Sequence, residues 1–166
     1  MKIFIKKIYL VIFLIFLLVN TKTFGKNNQH LYTSGNISNY FTGILHTNSA
    51  DNKKAFNYLN KVQSLKKAHS NFNVEFIRTL VLVEKFKEAF IFSKETWDEE
   101  EVFFEADLLL GLQAFKSRKY KLAKKHFKRI NKASKYNFLF EDFLGNILLA
   151  WVEASENNLV DSFKFL

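Results

Sequence analysis

Cysteine and proline are absent from this chain of 166 residues, and glycine occurs five times. Without cysteine there is neither a disulfide nor a thiolate metal site, and without proline nothing breaks a helix from within. Long uninterrupted helices are therefore the expected elements. Also missing are an HExxH zinc arrangement, a G-x-S-x-G nucleophile turn and a glycine-rich phosphate loop. No catalytic residue, metal ligand or cofactor is expected, and the chain reads as a non-enzyme. The four histidines, His30, His46, His69 and His126, form no metal-binding arrangement, and His46 near a helix end and His69 in a connection read as solvated or capping side chains. What is abundant is phenylalanine, at 20 residues. Burying one such ring is worth about 1.5 to 3 kcal/mol, so the core can be made of rings, and no single phenylalanine carries functional weight. The length allows one domain.

Lys2, Lys6 and Lys7 precede an apolar run from Ile8 to Val19, and polar residues resume at Asn20. A basic stretch followed by a short apolar one is the order of a secretory signal peptide. The 12-residue run falls short of the roughly 20 that span a bilayer, although taking in Ile3 to Ile5 extends it to an uncleaved anchor. Thr23 and Gly25 flank Phe24 and place cleavage after Gly25; Thr21 and Thr23 offer a cut two residues earlier. Residues 1–25 are thus expected to be a signal segment, 26–35 a polar linker and 36–166 a helical domain. The expected location is the bacterial periplasm or cell envelope, with inner-membrane anchoring as the alternative. The formal charge is +9, but from Lys26 onward 21 basic residues face 16 acidic ones, leaving +5. Nucleic acid is not the partner expected of an exported chain with that balance.

Beyond the linker, apolar residues recur at helical spacing. Ile37, Tyr40, Phe41, Ile44 and Leu45 mark one helix, and Ala55, Phe56, Leu59 and Val62 the next, with Asn48, Ser49 and Asp51 as turn and capping residues between them. Phe72 to Val83 and Phe86 to Phe92 repeat the arrangement. Asp98 and Glu99 to Glu101 are expected to open a third pair as an acidic first turn, with helices from about Glu100 to Lys116 and from Tyr120 to Asn131. A further helix is expected from Phe138 to Ala154 and a short one from Leu159.

Ala55, Ala89 and Ala123 stand in equivalent places 34 residues apart, with Gly43, Ile77 and Gly111 twelve residues before them and Phe86 and Tyr120 three residues before the last two. On these residues the chain resembles the tetratricopeptide-repeat (TPR) superfamily. The resemblance implies an α-solenoid of antiparallel helix pairs, about three and a half to four repeats over Ser38 to Leu166. Independently of it, two helices joined by a short turn approach most closely where small residues meet, as Gly43 with Ala55 and Gly111 with Ala123 can. Phe86 and Tyr120 are expected to close the turn by packing under it. There are departures: Ile77 replaces the small residue, Asn52 the aromatic, and Ser93 a large apolar side chain. In the fourth unit Ser162 follows Ala123 by 39 residues, so its first helix is about five residues longer or the register slips. The apolar end Phe163-Lys164-Phe165-Leu166 implies either continuation into a longer array or self-association through that edge.

In arrays of this kind the first helices line a concave, partner-binding surface. Stepping by the repeat gives Tyr40, Val74 and Leu108 in one row and Ile44, Arg78 and Leu112 in another, a mostly apolar face for a protein or peptide ligand, with Arg78 set to pair with a ligand carboxylate. A second candidate is basic. Lys121, Lys124, Lys125, Lys128, Lys132 and Lys135 fall on one helical face, a solvated outer surface or one drawn to an anionic membrane or an acidic protein. The acidic group Asp98 to Asp107 reads as a helix start rather than a cation site, because a helix scatters consecutive side chains around its axis. The expected function is a binding or scaffolding module of the cell envelope. The alternatives are a membrane-associated structural component and a fragment of a longer repeat protein.

Overall fold

Four turns of three residues each, 49–51, 83–85, 117–119 and 156–158, reverse the chain, and all four are built alike. The middle residue of each, Ala50, Glu84, Arg118 and Asn157, is left-handed, with φ of 58°, 62°, 57° and 61°. The next residue's N–H reaches back five positions: Asp51 to His46 O at 3.0 Å, Lys85 to Leu80 O at 2.8 Å, Lys119 to Ala114 O at 2.9 Å and Asn158 to Glu153 O at 2.9 Å. With the shorter bonds Ala50 to Thr47, Glu84 to Val81, Arg118 to Phe115 and Asn157 to Ala154, each turn is a complete Schellman closure that satisfies the last carbonyls of one helix while starting the next. The left-handed residues are spaced 34, 34 and 39 apart, the same intervals as the alanines and Ser162.

The computed structural model describes residues 31–133 and 141–165; the expected signal segment, the first half of the expected linker, His30 and Lys135 lie outside them. Ser34–Leu166 forms one compact unit. Among the described residues the chain is all-α, with eight α-helices: α1 Ser34–Asn48, α2 Asn52–Leu59 continued by a 3-10 stretch Asn60–Lys67, α3 Ser70–Leu82, α4 Phe86–Thr96, α5 Phe104–Lys116, α6 Tyr120–Ala133, α7 Glu141–Ser155 and α8 Leu159–Phe163. The turns join them as hairpins α1/α2, α3/α4, α5/α6 and α7/α8, and successive helices pack on one another throughout. Helix α1 begins at Ser34, so the last two residues of the expected linker are helical. The fourth turn's delay of five residues is not confined to the first helix of its hairpin, because α6 already runs 14 residues against 11 for α4.

The core follows from the hairpin geometry. Ala55, Ala89 and Ala123 are all fully buried. A Cβ added to Gly43 would stand 2.6 Å from Leu59 Cδ2, and one added to Gly111 2.7 Å from Phe127 Cδ1, so in the first and third hairpins a glycine on the first helix seats a large side chain on the second. The second hairpin inverts the sizes. Ile77 and Ser93 occupy the positions of Gly43 and Leu59, and both are buried. The two departures seen in the sequence thus belong together: the bulk has moved from the second helix to the first. Aromatic contacts add to this, with Phe56 of the first hairpin stacked on Phe76 of the second at 6.2 Å, and Phe76 edge-on to Phe92 within the second at 4.9 Å. Tyr120 leans on Phe115 at 5.9 Å as expected of a turn-closing ring, whereas Phe86 is half-exposed.

A left-handed conformation costs a residue with a Cβ roughly 1 to 2 kcal/mol, and glycine escapes most of that cost at the price of a freer unfolded chain. Glu84→Gly is therefore expected to stabilise the fold by about 0.5 to 1 kcal/mol, read as a higher midpoint in urea. An Asn157→Gly change is expected to do less, because asparagine already tolerates this region.

Candidate functional site

The first helices of the hairpins supply the candidate site. Counted back from the left-handed turn residue, Tyr40, Val74 and Leu108 are equivalent, as are Ile44, Arg78 and Leu112. Helix α1 packs on α3 and α3 on α5, so each row passes directly from helix to helix. The same count in the fourth hairpin adds Ile147 and Trp151, which a fixed step of 34 residues misses and the observed delay of 39 finds. Tyr40, Ile44, Val74, Leu108 and Ile147 are half-buried. Leu112 and Trp151 are 37% and 58% exposed, so the apolar face opens most towards the fourth hairpin.

Arg78 does not stand as the free cation expected of it. Its Nη2 and Nε donate to Glu105 Oε1 at 2.6 and 2.9 Å, and its Nη1 to Glu75 Oε1 at 3.2 Å. Two carboxylates on adjacent first helices thus enclose one guanidinium. The centre of the face carries a surplus of negative charge, and a ligand carboxylate would have to displace Glu105. Burial, followed by the Glu75 carboxylate, pushes the Tyr40 hydroxyl above its ordinary range, so this phenol remains a neutral hydrogen-bonding group.

The basic face of α6 divides. Lys121, Lys128 and Lys132 are exposed, but Lys124 turns inward to Glu153 at 2.7 Å and Glu156 at 2.5 Å, and Lys125 is held by Glu99 at 2.6 Å. Burial opposes the Lys124 charge, and the hydrogen bonds it donates to Glu153 and Glu156 outweigh that, so its pKa is raised. Lys124 occupies the place of the half-buried rings Phe56 and Phe90, the first of which stacks on Phe76 of the following hairpin; Lys124 likewise reaches the following hairpin through Glu153.

A polar node between the second and third hairpins had no local signature in the sequence. The carboxylate of Asp107, fully buried on α5, accepts from Trp97 Nε1 at 2.8 Å, His126 Nδ1 at 2.8 Å and Arg129 Nε at 3.0 Å. The Arg129 guanidinium then donates to the backbone carbonyls of Asp98 at 2.7 Å, Glu101 at 2.6 Å and Glu99. These carbonyls are consequently not part of a helix. The acidic run Asp98 to Glu101 is a loop rather than the first turn of α5, which starts at Phe104 with Glu105 and Asp107 as its acidic residues. Asp98 instead closes a local turn by accepting the N–H of Glu100 at 2.7 Å. Two of the other histidines have local roles. His69 Nδ1 caps α3 by accepting from the N–H of Phe72 at 3.1 Å, and His46 stacks on Tyr58 at 5.6 Å.

Among the described residues, no group of three histidine or carboxylate side chains could hold a metal ion, and no helix is long and apolar enough to cross a membrane. No family model, no curated protein and no solved structure matches the chain.

Proposed function

We propose that the chain is an exported α-solenoid of tetratricopeptide-like repeats that scaffolds a partner in the cell envelope, holding an apolar polypeptide segment along the face of α1, α3, α5 and α7. The observation that carries this reading is the pair of parallel rows, Tyr40, Val74, Leu108, Ile147 and Ile44, Arg78, Leu112, Trp151, set at one helical position in four hairpins with identical turns. A surface of that kind recognises regularly spaced apolar side chains, with Trp151 as its largest exposed anchor. The Glu75–Arg78–Glu105 group at its centre favours a ligand that offers a hydrogen-bond donor or a cation there over one that offers a carboxylate. Chemistry on a bound substrate plays no part in this function.

Export and binding are tested together. The mature protein is expected in a soluble envelope fraction with an N-terminus near Lys26; an intact Met1 in the membrane fraction would favour the anchored alternative. A partner retained from envelope extract by the immobilised protein is expected to be lost when Leu112→Glu and Trp151→Glu are combined, since both side chains reach the surface, at 37% and 58% exposure, and a circular-dichroism spectrum matching the parent's shows that the variant is folded. Undiminished retention by that variant would exclude the first-helix face as the binding surface.

A further inference from the structure

The second helices carry a surface of different chemistry. Lys53, Lys87 and Lys121 occupy one helical position on α2, α4 and α6 and repeat every 34 residues. Two turns further along α4 and α6, on the same face, stand Lys94 and Lys128. All five are exposed and make no ion pair among the described residues. Three carboxylates on or near these helices are already paired with other lysines: Glu88 with Lys85 at 3.2 Å, Glu95 with Lys66 at 2.6 Å and Glu99 with Lys125 at 2.6 Å. Between Lys87 and Lys94, on the same face of α4, Ile91 is exposed, and Leu122 is exposed beside Lys121.

We propose that this face of α2, α4 and α6 docks on an anionic lipid surface. Its unpaired charges are all lysines, compact cations on flexible stems, with none of the fork geometry by which arginine grips a single phosphate. They are spread over three helices and converge on no point, which matches a plane of headgroups. The intervening Ile91 supplies the shallow apolar contact that an interfacial surface makes with the acyl boundary, with the exposed Leu122 at the margin of the face. A nucleic acid would draw on the charges alone and leave these apolar side chains without a role. The docking face and the first-helix face belong to different helices, so a membrane-bound molecule keeps its partner-binding rows available.

The experiment uses the full chain with vesicles of phosphatidylcholine alone or mixed with phosphatidylglycerol. Because cysteine is absent, Ile91→Cys gives a single attachment point for an environment-sensitive fluorophore, which reports contact at this face whatever the N-terminal segment does. A blue shift is expected on the anionic vesicles and not on the neutral ones. Each lysine near such a surface contributes roughly five-fold in partitioning, so Lys53→Gln, Lys87→Gln and Lys121→Gln together are expected to raise the lipid concentration at half-shift by about a hundred-fold. The control pair Lys54→Gln and Lys85→Gln, which removes lysines already paired to Asp51 and Glu88, is expected to change it less than about two-fold. The proposal is overturned if the label shifts equally on neutral vesicles, if the triple variant partitions as the parent does, or if the label responds to a duplex oligonucleotide and not to vesicles.

Discussion

Asp107→Ala is expected to lower stability by about 3 to 5 kcal/mol, the cost of stripping a buried charge pair of one partner. Three donors lose their acceptor at once, and two of them, His126 and Arg129, are held on α6 with side chains only 6% and 11% exposed. The effect is expected to reach beyond the node. Arg129 fixes the loop from Asp98 to Glu101 only while Asp107 orients its guanidinium, and Trp97 sits beneath the Arg129 and Lys125 cations at 5.0 and 5.2 Å. Urea unfolding followed by tryptophan fluorescence measures both consequences: a lower midpoint, and a native-state signal already changed at Trp97. As a comparison, Glu99→Gln removes only an exposed pair and is expected to cost less than about 1 kcal/mol. An Asp107→Ala loss of similar size would mean that the node does not hold the second and third hairpins together.

The second large effect concerns Ile77 and Ser93. Ile77→Gly removes a fully buried side chain and weakens the helix, a combined loss of about 3 to 5 kcal/mol. Ser93→Leu by itself forces bulk into filled space and is expected to cost about 1 to 3 kcal/mol. If the second hairpin is the size-inverted form of the first, the double variant recreates the arrangement of Gly43 against Leu59. Its cost is then expected to fall short of the sum of the single costs by about 1 to 3 kcal/mol. Leucine also replaces the Ser93 hydroxyl, which is buried without a hydrogen-bond partner, so nothing polar is lost. Additive costs, read from the same urea midpoints, would show that the two positions do not face one another.

These two cases also mark what the sequence discloses and what it conceals. The period was legible because Ala55, Ala89 and Ala123 sit where two helices come closest, and only a small residue fits there. The delayed fourth unit was legible from Ser162 for the same reason: its Oγ donates to Ala150 O at 3.0 Å across the hairpin. The first turn was legible from Asn48, Ser49 and Asp51, whose side chain caps α2 by accepting the N–H of Lys54, but the conformation of the turns was not. Their left-handed positions hold Ala50, Glu84 and Arg118, none of which announces such a conformation as glycine would. Ile77 and Ser93 looked like two separate departures because sequence alone does not say which side chains oppose each other.

The candidate site was legible to the extent that it is periodic. Six of its positions followed from the repeat, and Ile147 and Trp151 required the shifted register. The partners of Arg78 were hidden, since Glu105 lies 27 residues away and reaches Arg78 only because α3 and α5 are neighbours. The Asp107 node was hidden for the same reason, as Trp97, His126 and Arg129 share no spacing that a local pattern could expose. The acidic run before α5 misled because acidic residues suit a helix start and an exposed loop equally well. The choice was made by a distant guanidinium that took the backbone carbonyls.

The proposed function requires above all that the first helices form a face that holds a polypeptide. The most direct measurement places a photo-crosslinking amino acid at Leu112 or Trp151 on that face and, separately, at Leu122 on α6, in cells that express the full chain. The predicted result is a protein adduct of one size from both Leu112 and Trp151, absent from Leu122 and abolished when Ile44→Glu puts a charge into the same row. Protein adducts from Leu122 with none from Leu112 or Trp151 would contradict it.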